Sequence, residues 1–287
     1  MNLNSSPDAI SEFLKQISPE LRVWRFILDA FGDDIWKIPI SAYVVKNAKF
    51  SENGEIRMTK KAKHTCVYLM FNVARYLYAK GFGKNLISGR TIKKEMQYAT
   101  TLIEKGEIYE PEINLTPEFE KLLDQPIPPR FRKGFCALVD FNTCFEVRVE
   151  RFIKHEKKLP HPILETAVVS HLLSTKWVEL DCPELDDCDF WTTERIKNAK
   201  YTLGNLILVE PDKHTNKMNQ ILEGTTLPLL HDEHRTANFL GSEVWRLRFK
   251  KTDWTGWCYS KYITRQAWAK KTLLSFFEGF GVLYQPD

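Results

Sequence analysis

Three polar side chains stand out for what they could do together: His171, Asn205 and His214. His171 follows a short β-branched run, Ala167-Val168-Val169, with Ser170 between them. Asn205 opens the apolar segment "NLILV", and His214 comes after a Pro-containing turn, just before the helix-like "TNKMNQIL". An unperturbed imidazole titrates near neutrality, so His171 suits the role of a general base that takes a proton from water. The Asn205 amide can bond within its own loop and fix the orientation of that imidazole. His214 can hold a divalent cation, and such a cation stabilises charge developing on a phosphate and on its leaving oxygen. Together the three could carry out metal-assisted attack of water on a phosphate ester.

That chemistry needs a strand ending at His171 and a second strand beginning at Asn205, with a helix after His214. Apolar spacing predicts strands near 167–171 and 205–209. Upstream, "SSPDAISEFLKQI" and "SPELRVWRFILDAFG" each place a Ser before a Pro at a helix start, and Gly32 closes the second. Lys63 to Lys80 is long, apolar on one face and stopped by Gly81, the pattern of a core helix. "GRTIKKEMQYATTLIEKG" is a further helix between Gly89 and Gly106. Five prolines (Pro111, Pro117, Pro126, Pro128, Pro129) then mark a linker. Gly134 to Lys154 reads as helix, and the aromatic-rich tail as two or three more. The expected organisation is a helical N-terminal domain over 1–110, a Pro-rich linker over 111–133 and a second domain over 134–287. The fold class is mainly α (α+β), with two short strands set among helices.

Bulk composition excludes little. The 287 residues can bury a sizeable core, and a net charge of +4 is nearly neutral. The distribution is uneven. Ser41 to Tyr98 holds twelve Lys/Arg against three Glu, and Glu243 to Lys271 holds eight Lys/Arg against two acids. Between them, Val178 to Glu194 carries seven acids and no base. Such a pattern suits a polyanion partner and equally suits solvated helix faces. The start has no basic and apolar leader, and no apolar run is long enough to span a membrane, so a cytoplasmic protein with reduced thiols is expected. Cys182 and Cys188 have no second Cys pair to complete a zinc site, and the tetrad His231 to His234 is a weak metal signal.

"VSHLLSTKW" and "YTLGNLILVEPDKHTNKMN" resemble the two strand elements of the DUF1524 branch of HNH (ββα-metal) endonucleases, commonly the C-terminal half of modification-dependent restriction and phage-defence proteins. His214 lies nine residues beyond Asn205, as in that pattern, and Asn219 falls where a second Asn is expected. The tail "DWTGWCYSKYITRQAWAKKTLLSFF" is similar to the family's closing helices, and the likeness runs roughly from Arg130 to Phe277. It implies a ββα-metal element embedded in helices. His171 and Asn205 would be catalytic and His214 a ligand of one divalent cation, Mg²⁺ or Mn²⁺, with Zn²⁺ or Ni²⁺ as alternatives. Lys176, Lys213 and Lys217 would contact substrate, and Ser170, Gly204 and Asn219 would support the site. DNA is the implied partner, with a protein partner in a defence complex a further expectation, and no membrane.

Two departures divide the functional expectation. Ser170 stands where the family has Glu or Asp, and a hydroxyl is a poor ligand for a hard cation. Ser174 replaces the family's Pro, and the N-terminal half lacks the Asp-Gly-Gln-Arg motif of the DUF262 nucleotide-handling domain that commonly accompanies the DUF1524 part, so no nucleotide-dependent activity is expected. Glu165, Asp187 and Asp189 are within sequence reach as substitute carboxylates. One expectation is therefore an active metal-dependent DNA endonuclease. The other is a degenerate HNH fold kept as a nucleic-acid-binding or assembly subunit.

Overall fold

The computed structural model describes residues 10, 13–14, 19–51, 56–82, 89–142, 167–171, 192–209 and 259–279. Contacts divide the chain into two units, Met1–Leu115 with Phe276–Asp287, and Thr116–Ser275. The described residues are mainly helical, with two small two-stranded sheets.

In the first unit, α1 (Pro19–Asp29) buries Leu21, Trp24 and Leu28 on one stripe, with Val23 and Ile27 beside it. Helix α2 is Lys37–Asn47. A pair of two-residue strands, β1 (Lys49–Phe50) and β2 (Ile56–Arg57), follows in antiparallel register, Lys49 opposite Arg57. Helix α3 (Lys60–Phe82) is buried on almost every side from Cys66 onward, which makes it the centre of this core. Trp24 meets Phe71 edge-on at 5.5 Å and stacks on Phe276 at 6.1 Å. Helix α4 (Gly89–Lys105) lies along α2 and ends at Gly106, whose φ of +89° is the left-handed cap that glycine adopts without strain. Lys46 completes that cap by donating to the carbonyls of Ile103 and Glu104, each at 2.8 Å.

The Pro-rich stretch read above as a linker holds helical structure. Pro117 sits in the first turn of α5 (Pro117–Leu122), whose N-cap Thr116 accepts from Phe119 N–H, and Pro129 opens α6 (Pro129–Asn142). At a first helical position the missing proline N–H costs nothing, so a proline-dense segment can still fold into helix. Phe119, Leu123, Ile127 and Phe131 are buried.

The rest of the second unit contains β3 (Val168–His171), α7 (Thr193–Ala199), β4 (Leu206–Val209) and α8 (Tyr259–Glu278), whose residues from Phe276 onward group with the first unit. The two strands form an antiparallel pair, with Val168 opposite Val209 and His171 opposite Leu206. Helix α6 packs on both strands. Among the described residues, no helix is long and apolar enough to cross a membrane.

Candidate functional site

The strand pair sets the positions of three expected site residues. His171 ends β3 half-buried. Its neighbour Ser170 lies opposite Ile207 and is only 1% exposed. Successive strand residues point to opposite faces, so Ser170 turns into the core while His171 faces the other way. Asn205 ends the 3-10 turn Leu203–Asn205, one residue before His171's partner Leu206. Its side chain is buried, and its Nδ2 donates to Lys200 O at 3.3 Å within the turn.

Gly204 is required by proximity. Its φ is ordinary, but a Cβ there would meet the Tyr262 ring at 2.8 and 2.9 Å and Gln266 Cβ at 3.0 Å. Helix α8 is thus pressed onto the turn, and its side chains hold it. Gln266 Oε1 accepts from Gly204 N–H at 2.6 Å while its Nε2 donates to Leu123 O at 2.8 Å. Tyr262 and Thr202 share a hydroxyl–hydroxyl bond of 2.9 Å, and Arg265 donates to Leu206 O at 2.9 Å. Burial pushes the Tyr262 phenol above its ordinary pKa, which keeps it a neutral partner for Thr202.

The imidazole of His171 lies edge-on to the Tyr201 ring at 5.4 Å. The Arg132 guanidinium covers the same ring at 3.8 Å, and Lys200 Nζ is 5.0 Å from its centre. Tyr201, Lys200 and Arg132 were not among the residues expected from sequence. The available signal was local: "KYTLGN" places a basic-aromatic pair directly before the Gly-Asn turn. Arg132 carried no signal, because its segment read as a linker.

His214, Asn219, Lys176, Lys213 and Lys217 lie outside the described residues, as do Glu165, Asp187, Asp189, Cys182, Cys188 and His231 to His234. Among the described residues, no group of three or more His, Cys, Asp or Glu could hold a metal ion. At the strand pair the described donors are one imidazole and a hydroxyl turned into the core. That set by itself does not fit a hard divalent cation. Comparison with protein-family models, curated proteins and solved structures finds no match to this chain.

Proposed function

We propose that the second unit is an HNH-type framework directed to DNA, with phosphodiester hydrolysis as its activity and His171 as the base that deprotonates water. The observation that carries this reading is the antiparallel register of β3 and β4. It sets a half-buried imidazole at the end of one strand beside a Gly-Asn turn at the start of the next. Asn205 and Gly204 act there as positioning residues, one bonding inside the turn and the other admitting α8. The bacterial restriction or anti-phage setting, and a protein partner within it, belong to the same proposal.

The test is plasmid nicking by the purified protein with Mg²⁺ or Mn²⁺. His171→Ala should lower the rate by roughly a hundred- to ten-thousand-fold, the usual contribution of a general base. DNA affinity should persist, since phosphate contacts come mainly from Lys and Arg. If the parent is inert with every divalent ion, the hydrolytic reading is lost.

One observation favours a second reading, a degenerate HNH fold that binds without cutting. Ser170 occupies the family's acidic position, and its side chain is in the core. An acid substituted there would be buried, not offered to a cation beside His171. The second reading expects salt-dependent DNA binding with no nicking by parent or variant.

A further inference from the structure

Arg132, Lys200 and Tyr201 form a cluster that the reading above does not use. Two cations approach one aromatic ring, Arg132 at 3.8 Å and Lys200 at 5.0 Å. Among the described residues, neither forms an ion pair.

Arg132 is also held in place. Its Nε donates to Ile127 O at 2.7 Å, and Ile127 N–H donates to Tyr201 O at 2.8 Å. These two bonds and the ring contact form a closed circuit that fixes the guanidinium over Tyr201. With Nε committed, the Nη edge is the part of the fork without a hydrogen bond among the described residues. A planar guanidinium edge matches phosphate oxygens in two-point fashion. Burial pulls the Arg132 pKa below its ordinary value. Lys200 is fixed by its backbone, since it caps α7 and its carbonyl accepts from Asn205.

We propose that Arg132 and Lys200, held on Tyr201, bind a phosphate group beside His171. The ligand's source rests on the nucleic-acid reading, under which the phosphate belongs to the DNA backbone next to the bond attacked.

The experiment uses the full chain and two probes. The first is inorganic phosphate, by thermal melts against chloride at matched ionic strength. Phosphate should raise the parent's Tm by more than it raises that of Lys200→Ala or Arg132→Gln, because general salting-out effects are common to all three. The second is a labelled DNA duplex titrated between roughly 50 and 200 mM salt. Loss of one phosphate contact should lower the slope of log affinity against log salt by about one in each variant. The Lys200 side chain makes no hydrogen bond among the described residues, so Lys200→Ala reads the site without disturbing the fold. If the variants keep the parent's phosphate increment and salt slope while the parent binds DNA, the site is overturned and the nucleic-acid reading stands. If the phosphate increment depends on Arg132 and Lys200 while no DNA binds at low salt, the site stands and the DNA reading falls.

Discussion

Arg75 in the first unit and Arg132 in the second are alike in surroundings and differ in how they are used. Both are half-buried, both lie on an aromatic ring, and burial lowers the pKa of both. Arg75 spends its fork on protein. Its Nε and Nη2 donate to Phe277 O at 3.2 and 2.8 Å, and its Nη1 donates to Asn72 Oδ1 at 3.0 Å. Asn72 is fully buried and passes the network on, through Nδ2, to Tyr109 O. Arg132 spends one donor, on Ile127 O. An arginine that satisfies orphan carbonyls at a helix end is a structural part. One whose donors are left over is available to a ligand.

The largest stability effect should separate these roles. Arg75→Met removes three charge-assisted bonds from a half-buried site, a cost of about 3 kcal/mol or more. Arg132→Gln removes one bond and one ring contact and should cost about 1 kcal/mol. Chemical denaturation of both variants measures the difference. Equal losses would break the comparison and make Arg132 another strut.

Next in size is the Gly204 contact. Gly204→Ala places a methyl against the Tyr262 ring, which is itself tied to Thr202, so neither side yields cheaply. Overpacking of this kind should cost about 2 kcal/mol. Gly89→Ala is the control: nothing lies within 4 Å of a Cβ there, and the change should be neutral or slightly stabilising. A neutral Gly204→Ala would show that α8 does not press on the turn.

Much of this framework was legible because the signals were local. The apolar run located α3, although the helix continues through the expected stop at Gly81 to Phe82, the glycine stop at Gly106 gave the end of α4, and short β-branched or aliphatic runs located β3 and β4 within a residue or two. The Trp and Phe stripe of the tail, read as core, is buried at Trp268, Phe276 and Phe277. Strands β1 and β2 went unread, since two residues are too few to show alternation. Proline count alone did not show the helices at Pro117 and Pro129, where position within the first turn mattered more than number. The Arg132–Tyr201 contact was hidden for another reason. Its partners lie far apart in sequence, and no periodicity records a long-range pairing. The role of Gly204 was half legible: it was expected to support the site, but the approach of Tyr262 that leaves no room for a Cβ pairs residues 58 apart and had no sequence signal.

The smallest effect tests how tightly the first unit closes around α3. Cys66 is fully buried, and burial pushes its thiol up from 9.0 to about 12. The folded chain therefore prefers the protonated thiol more strongly than the unfolded chain does. That preference contributes fully below about pH 9 and is lost as pH rises from there toward 12. Cys66→Ala lacks the titrating group, so its deficit in unfolding free energy should shrink as pH rises. Between pH 8 and pH 10 the gap should narrow by about 1 kcal/mol, since one pKa unit corresponds to about 1.4 kcal/mol. The raised tyrosines Tyr78 and Tyr109 titrate in both proteins and cancel in the difference. A gap that stays constant would mean that the thiol meets solvent in the native state, and that the core around α3 opens more readily than its burial implies.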